Sequence, residues 1–311
     1  MTEEGELQFI DIEPPTDYIR VIKDVAAGTC GGVAQVLAGQ PFDTTKVRLQ
    51  SAPVGKYTGA LDVVQQLLKN EGVLGFYKGT LTPLVGIGAC VSIQFGVNEF
   101  MKRFFRNQNV SKGLSETTHL TSLQFYLCGG ASGFANGFLA APIEHIRIRL
   151  QTQTSTNGLY HGPIDCVKKL HQQSGFATGV MRGLGPTLIR ESHGIGIYFM
   201  TFEALVKYDM SVNQIDRKEI SGLRLCLYGA AAGYSMWFTS YPIDVIKTKM
   251  QTDDLTNKAY KSMIDCARKT YKAGGIKPFF NGFLPTILRA GPVNAVTFYA
   301  FELAIRALNQ I

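Results

Sequence analysis

The sequence of 311 residues is poor in charge, with 18% charged residues against roughly 25% in an ordinary soluble domain. It has one tryptophan, and its six cysteines form neither a CxxC pair nor a cluster with histidines. Disordered chains have high charge, disulfide-rich chains have dense cysteines, and collagen-like chains have a strict glycine period. This sequence has none of these features, so the three classes are excluded. We predict neither a disulfide nor a metal site, because most of the cysteines lie in apolar stretches as small hydrophobic side chains.

Enzyme motifs and leader sequences are also missing. There is no nucleophile elbow, no P-loop and no dinucleotide fingerprint, which predicts that the protein is not an enzyme. The first twenty residues are acidic and lack the basic and apolar regions of a secretory signal, so any organelle address is predicted to be internal. The net charge is +7, but the basic residues gather around predicted helix ends and form no aromatic-interleaved stripe, which argues against nucleic-acid binding.

What the chain does have is a threefold repeat. Pro41, Pro142 and Pro242 lie 101 and 100 residues apart, and they open the segments PFDTTKVRLQ, PIEHIRIRLQ and PIDVIKTKMQ. A GxxxG pair precedes each proline, and a tyrosine, an aspartate and a Gly/Pro pair follow it in the same register. This agreement predicts one body of three tandem repeats, at residues 20–110, 118–210 and 220–308.

Each repeat contains two long stretches that are poor in charge. Asp, Glu, Lys and Arg are absent from residues 25–42, 79–98, 117–143 and 225–243, and each run can cross a bilayer core of about 30 Å as a helix. Six membrane-spanning helices are therefore predicted. A large soluble all-helical protein is the alternative, but four charge-free runs do not suit it. Scattered polar residues in the spans indicate a bundle around water.

The proline segments place an acid and a base three residues apart on one helical face. Around a pseudo-threefold axis these side chains can pair between neighbours, and such a closure suits a breakable gate. Solvated helix-end charges are the alternative, which a single copy would favour. The predicted gate residues are Asp43, Lys46, Glu144, Arg147, Asp244 and Lys247.

Three charges lie inside the other spans, where an ionisable group is a functional candidate. Arg190 and Arg289 each stand four residues past a proline of the repeat, Glu191 follows Arg190, and Ile87 is the equivalent residue of the first repeat. Arginine can hold a carboxylate and Glu191 an ammonium group, while Ile87 leaves an apolar wall. We predict an amino-acid site at Arg190, Glu191 and Arg289; the alternative is that these charges pair only for structure.

The triplicated P-x-[DE]-x-x-[KR] pattern resembles the mitochondrial carrier family over residues 20–308. The resemblance implies an all-α membrane protein with six transmembrane helices in a pseudo-threefold bundle and short matrix helices. It also implies a multi-pass, functionally monomeric protein of the mitochondrial inner membrane that moves a small molecule by alternating access. In the family pattern the charged ring is the matrix gate, and its bracing glutamines correspond to Gln50, Gln151 and Gln251.

The resemblance implies two further groups of residues. Glycines of the family's second half-motif cap helices that bind cardiolipin, which we expect as a structural lipid but not as a cofactor; here they are Gly72, Gly79, Gly175, Gly183, Gly275 and Gly282. The cytoplasmic gate is expected at Glu99, Lys102, Glu203 and Glu302. Val206 and Ile305 replace two of its bases, with Lys207 and Arg306 one residue later, which predicts a weaker gate that suits uniport or a less strict exchange.

The Arg-acid pair of LIRESHGIGIYFMTFE resembles the amino-acid and carnitine branch of the family, and the sequence is similar to fungal carriers of that group. We therefore expect amino-acid transport. Two alternatives stay open: an acylcarnitine exchanger, whose substrate also has a carboxylate and a cation, and a carrier-fold receptor that does not transport. Three complete gate pairs argue against the receptor, which needs no breakable seal.

Overall fold

The structure is a computed structural model that describes residues 18–53, 55–113, 120–153 and 158–309. The acidic N-terminal segment 1–17 and the predicted start of the second repeat at 118–119 lie outside these residues. So does the side chain of Ile87, which was predicted to form the apolar wall.

The described residues form helices and no strand. Each repeat consists of a long helix, a short helix and a second long helical segment, as the spacing of the charge-free runs predicts. The helices are α1 Tyr18–Ser51, α2 Ala60–Glu71, α3 Leu81–Ser111, α4 Ser122–Thr152, α5 Pro163–Gly175, α6 Leu184–Asn213, α7 Gly222–Thr252, α8 Met263–Gly274, α9 Phe283–Leu288 and α10 Ala290–Asn309.

The prolines of the repeat lie inside helices that continue past them. Pro41, Pro142 and Pro242 stand within α1, α4 and α7. The last long segment differs, because it is broken between α9 and α10 at Arg289. Pro292 has no N–H to donate to the carbonyl of Leu288, so the helix loses a hydrogen bond at this point. A candidate substrate residue therefore occupies a helix break.

The short helices α2, α5 and α8 each bury two side chains four residues apart on one face. Their first turns are fixed by aspartates at the same repeat position. Asp62 accepts a hydrogen bond from the backbone N–H of Thr58 at 2.9 Å, and Asp265 accepts one from Lys261 at 3.0 Å. These backbone hydrogen bonds hold the pKa of both aspartates below its usual value. The registered aspartates of the sequence are thus helix-start residues.

Hydropathy alone gives a weaker signal than the charge-free runs. In the described part of the chain, no single helix combines the length and the apolarity of a membrane span. One bent pair, Val73–Gly86 with Gly88–Ser111, meets that requirement when its two parts are taken together.

The contacts divide the chain into two compact units. Among the described residues, the first unit holds 88–113, 120–140 and 184–244, and the second unit holds 18–53, 55–87, 141–153, 158–183 and 245–309. The first unit has a core of Leu120, Phe125 and Cys128. In the second unit α1 packs along α10, and a larger core consists of Ile146, Leu150, Tyr160, Cys166, Leu170, Val180 and Leu255.

The GxxxG pair of the second repeat packs α4 closely against a helix of the same repeat. A methyl group built on Gly133 of α4 would lie 2.6 Å from the carbonyl carbon of Glu191 on α6, within the same repeat. Built on Gly28, Gly32 or Gly233, it would meet nothing within 4 Å. Close approach is therefore needed where α4 packs against the candidate substrate helix.

Candidate functional site

Two predicted gate acids form ion pairs with bases of the following repeat, all within the second unit. Asp43 Oδ2 on α1 lies 2.8 Å from Arg147 Nη2 on α4. Glu144 Oε2 on α4 lies 2.6 Å from Lys247 Nζ on α7. The pairs tie α1 to α4 and α4 to α7. Acid and base meet between neighbouring repeats as the sequence predicts, and their action as a gate stays a prediction.

The other two gate residues are placed differently. Asp244 belongs to the first unit, where it is buried, and its Oδ1 lies 3.7 Å from Arg190 Nε. Lys46 follows Asp43 by one turn on α1 and is half-buried. Asp244 is therefore close to a candidate substrate residue.

Asp43 has a second cation. Arg289 Nη1 lies 2.6 Å from Asp43 Oδ1, so one carboxylate contacts two guanidinium groups. Gln40 supports the same cluster, because its Oε1 accepts a hydrogen bond from Arg147 Nη2 at 2.6 Å. The sequence analysis did not single out Gln40, although a glutamine at the end of a charge-free run was the available signal. Arg289 is thus a neighbour of the candidate matrix gate.

Arg190 and Glu191 contact each other through Arg190 Nη2 and Glu191 Oε1. Asn136 of α4 donates from Nδ2 to Glu191 Oε2 at 3.3 Å. His193, one turn further along α6, has Nδ1 3.1 Å from the hydroxyl of Tyr126, as expected for a histidine that faces another helix. The first unit therefore holds a partly exposed guanidinium beside a buried carboxylate whose two oxygens are both engaged.

The three predicted substrate residues fall into two groups. Arg190 and Glu191 lie in the first unit, and Arg289 lies in the second unit. Their combination into a single site stays a prediction. In the described residues, no three His, Cys, Asp or Glu side chains stand close enough together to hold a metal ion.

The predicted brace glutamines are buried, and one of them bonds a threonine outside the gate pairs. Gln151 Nε2 donates to Thr44 Oγ1 at 3.3 Å, and Thr44 in turn donates to the carbonyl of Phe76 at 2.7 Å. Gln251 packs beside Gly183, where a methyl group would lie 2.6 Å from Gln251 Cγ. Gln50 is fully buried on α1. Their role as braces stays a prediction.

The candidate cytoplasmic gate residues form pairs along single helices. Lys102 Nζ lies 2.8 Å from Glu99 Oε1 on α3, and Arg306 Nε lies 2.7 Å from Glu302 Oε1 on α10, where both side chains are exposed. Each of these ion pairs lies along one helix, and Lys102 Nζ also stands 6.0 Å from the centre of the Phe199 ring on α6.

Glu203 has a partner that the sequence analysis missed. Arg217, from the segment that connects α6 and α7, donates to it from Nη1 at 2.9 Å and from Nη2 at 3.3 Å. Lys207, one residue past the position where the family pattern has a base, donates to the carbonyl of Leu120. No pattern in the repeat marks Arg217, because it lies between two repeats.

Glu71, which precedes the half-motif glycine Gly72, is the centre of a junction between the first two repeats. Arg48 donates to both oxygens of Glu71 at 2.6 and 2.9 Å and to the carbonyl of Gln151 at 3.1 Å, while Lys78 Nζ lies 2.6 Å from Glu71 Oε2. Burial raises the pKa of Glu71, but the hydrogen bonds from Arg48 and Lys78 outweigh it and hold the pKa below its usual value.

The next junction has no acid at the position of Glu71, which is Ser174 in the second repeat. Arg182 pairs instead with Asp253 of the third repeat and donates from Nε to the carbonyl of Met250 at 2.9 Å. At this junction the acid therefore comes from the neighbouring repeat, as Asp253.

All six half-motif glycines have positive φ, between 67° and 85°. An L side chain is strained in this region, so glycine is required for the turns there. Gly72 and Gly275 end α2 and α8, and Gly282 precedes α9. The cap geometry is present, and lipid binding stays a prediction.

The sequence profile described as mitochondrial carrier protein matches residues 18–109, 118–211 and 218–311. The chain is 52% identical over 304 residues to the mitochondrial glycine transporter YMC1 of Saccharomyces cerevisiae, covering 96% of both chains. It is 51% identical over 295 residues to the glutamate/glycine mitochondrial carrier ymc1 of Schizosaccharomyces pombe, covering 93% of this chain and 95% of the relative.

A carnitine/acylcarnitine carrier-like protein of Arabidopsis thaliana is 36% identical over 304 residues, covering 92% of this chain and 98% of the relative. Three matched repeats account for nearly the whole chain, in agreement with the alternation of long and short helices. The chain belongs to the mitochondrial carrier family and is a multi-pass six-helix protein of the mitochondrial inner membrane.

Proposed function

We propose that this protein transports an amino acid across the mitochondrial inner membrane by alternating access. The observation that carries the proposal is the guanidinium of Arg190, whose side chain is 12% exposed, beside the buried carboxylate of Glu191 within α6. An amino acid has a carboxylate and an ammonium group one carbon apart. Arginine binds a carboxylate through paired hydrogen bonds, and Glu191 complements the ammonium group. An ionisable pair at this depth of a spanning helix is a candidate transport site by default.

The relatives support a small amino acid as substrate. Two of the three yeast relatives with more than 50% identity are named as glycine and glutamate/glycine transporters. The carnitine/acylcarnitine carrier-like relative is 36% identical. We therefore place glycine and glutamate ahead of carnitine esters as substrates, and we propose that the chain carries no catalytic activity of its own.

We propose that the Asp43–Arg147 and Glu144–Lys247 pairs close the matrix side and break in each transport cycle. Each pair joins helices of two different repeats at 2.8 and 2.6 Å, so separation of those helices requires its loss. On the other side, the Glu99–Lys102 and Glu302–Arg306 pairs lie within single helices. This difference supports a weaker cytoplasmic gate.

The lipid and assembly proposals are separate from the substrate. We propose that the turns at the six half-motif glycines bind cardiolipin phosphates, which is supported by their positive φ angles. Gly79, Gly183 and Gly282 precede α3, α6 and α9, and the N–H groups at helix N-termini prefer anions. We also propose that the protein acts as a monomer, since its candidate gate and substrate residues all come from one chain.

Reconstituted liposomes test the transport proposal. We expect vesicles preloaded with glycine to take up labelled glycine or glutamate, and we expect preloading with acylcarnitine to drive none. Glu191→Gln should abolish uptake because it removes the charge that complements the ammonium group. Glu219→Gln is the control, because this exposed carboxylate lies in the segment between α6 and α7 and glutamine keeps an oxygen that can accept from the N–H of Asp216. Exchange of acylcarnitine without any amino acid would overturn the proposal.

A further inference from the structure

Asn136 is a neutral side chain that donates a hydrogen bond to the candidate substrate carboxylate of Glu191. It lies on α4, is 3% exposed, and donates from Nδ2 to Glu191 Oε2 at 3.3 Å. Arg190 engages the other oxygen of Glu191. All three residues belong to the first unit. Asn136 therefore lies in direct contact with the group to which we assign the substrate ammonium.

The oxygen of the same amide is a buried acceptor. Asn136 Oδ1 has no hydrogen-bond partner among the residues that the structure describes. The amide cannot be turned over to satisfy it, because Oδ1 would then face the Glu191 carboxylate and two acceptors would repel each other. A buried carbonyl oxygen without a donor is costly. Its retention indicates that a donor from outside the chain binds there.

The repeat framework does not require this asparagine. The equivalent residues, six positions before the repeat proline, are Gln35 in the first repeat and Met236 in the third. Glu191 is likewise confined to the second repeat, where Gly88 and Ala290 are its counterparts. The amide and the carboxylate thus occur together in one repeat, as expected for a ligand contact and not for a structural element repeated three times.

Close backbone packing fixes the amide in place. Gly133, one turn before Asn136, abuts the Glu191 carbonyl, and a methyl group built on Gly137 would lie 2.8 Å from Leu188 Cδ2. With the two helices in contact at both glycines, the amide between them has little freedom to move. A rigid acceptor is what a selective polar site requires.

We propose that Asn136 is a specificity-determining residue that, together with Glu191, binds the protonated primary amine of the transported amino acid. Asn136 Oδ1 accepts one N–H of the ammonium group, and Glu191 accepts another. A quaternary amine has no N–H and leaves Oδ1 without a donor, so the site discriminates against it. Sites built around buried hydrogen-bonding groups reject analogues that lack the matching group far more strongly than apolar pockets do. The inference rests on the proposed amino-acid transport.

The test uses glycine and its N-methyl, N,N-dimethyl and N,N,N-trimethyl derivatives as competitors of labelled glycine uptake into liposomes. For the unmodified chain we expect inhibition to weaken along the series as N–H groups are lost, with the trimethyl compound weakest. Asn136→Leu keeps a similar volume and removes the acceptor. We expect it to raise the half-saturating glycine concentration at least about tenfold and to reduce the glycine-to-trimethyl preference about tenfold, the value of one hydrogen bond to a charged group.

Ser132→Ala is the matched control, because Ser132 lies one turn earlier on α4 and bonds only the carbonyl of Gly129 in the described residues. It should keep the preference of the unmodified chain. If Asn136→Leu does not fold, Asn136→Ala removes the same acceptor with less bulk and should lose the same preference.

Two results overturn the inference: an unmodified chain that binds the trimethyl compound as well as glycine, or an Asn136 variant that keeps the original preference. Failure of the unmodified chain to transport any amino acid instead overturns the proposed function.

Discussion

Arg289 Nη1 lies 2.6 Å from Asp43 Oδ1, so a candidate substrate residue and a candidate gate acid form an ion pair in the second unit. The other oxygen of Asp43 is 2.8 Å from Arg147. The first unit repeats the relationship at longer range, with Arg190 Nε 3.7 Å from Asp244 Oδ1. In both units the arginine and the acid belong to different repeats: Arg289 and Asp43 to the third and first, Arg190 and Asp244 to the second and third. A substrate carboxylate that binds either arginine must therefore compete with a gate acid.

Arg147 and Arg289 share the Asp43 carboxylate, so we expect loss of one arginine and loss of the acid to affect stability differently. In Arg289→Gln, Asp43 keeps Arg147, so the protein should remain folded while uptake is abolished. In Asp43→Asn, two guanidinium groups lose their carboxylate, and we expect the free energy of unfolding to fall by about 1–3 kcal/mol because the cluster is only partly exposed. Thermal unfolding in detergent, followed by a thiol-reactive dye at the buried Cys128, Cys166 and Cys266, measures the stabilities.

Liposome uptake provides the second measurement for this pair of variants. Normal uptake by Arg289→Gln would remove Arg289 from the substrate site. If Asp43→Asn proved as stable as the unmodified chain, the carboxylate would not hold the two arginines together in solution.

The packing of the helix glycines predicts a large difference in unfolding free energy between two variants at the same repeat position. Gly133→Ala places a methyl group 2.6 Å from the carbonyl carbon of Glu191, so α4 and α6 must separate. We expect destabilisation by about 1–3 kcal/mol and loss of uptake. Gly32→Ala is the matched control, since its methyl group meets nothing within 4 Å; it should be neutral or slightly stabilising in a helix. Equal unfolding temperatures for the two variants would contradict the packing.

The repeat allowed most of the fold to be predicted, and the same symmetry explains what was missed. Registered prolines and charge-free runs locate the long helices and bring Asp43 to Arg147, because equivalent residues of adjacent repeats recur in equivalent contacts. Gln40 and Asn136 were overlooked because a polar residue in an apolar run shows neither its facing helix nor its partner.

Three further differences arise from features that the repeat pattern does not contain. Arg217 lies between repeats, so no register predicts its bond to Glu203. The break at Arg289 depends on Pro292, which has Cys90 and His193 as counterparts in the other repeats. The packing of Gly133 depends on the neighbour of α4, which the GxxxG pattern does not specify.

A double-mutant cycle can test the Glu203–Arg217 pair. Glu203 is 3% exposed in its side chain and accepts from two guanidinium nitrogens of Arg217. Arg217→Gln leaves a buried carboxylate without its cation, so we expect it to cost about 2–4 kcal/mol in unfolding free energy. Combination with Glu203→Gln should recover part of that loss, giving a coupling energy of about 1 kcal/mol or more.

Lys207→Gln is the comparison for this cycle, because Lys207 follows by one residue the position where the family pattern has a base and it donates to the carbonyl of Leu120. We expect its coupling to Glu203→Gln to be smaller. A larger coupling for Lys207 than for Arg217 would show that the repeat pattern, and not the connecting segment, supplies the partner of Glu203.

Glu71 predicts a dependence of stability on pH. Burial raises the pKa of the Glu71 carboxyl group, but Arg48 and Lys78 lower that pKa by more. The folded pKa of Glu71 therefore lies below the unfolded value of about 4.3. A group with a depressed folded pKa contributes fully above the unfolded pKa, and that contribution is lost as the pH falls through the folded pKa. The unmodified chain should therefore keep this stabilisation from pH 7 to about pH 5 and lose it below about pH 4.

Glu71→Gln should be less stable by about 1–3 kcal/mol at pH 7, since Arg48 and Lys78 lose a buried partner. It should also show a smaller loss between pH 5 and pH 3.5 than the unmodified chain, because the titrating group is gone. Helix content followed by circular dichroism during heating measures both effects. Glu302→Gln, an exposed carboxylate on α10, should change stability by less than about 0.5 kcal/mol. Parallel acid profiles for the unmodified chain and Glu71→Gln would contradict the role of Glu71 at the junction.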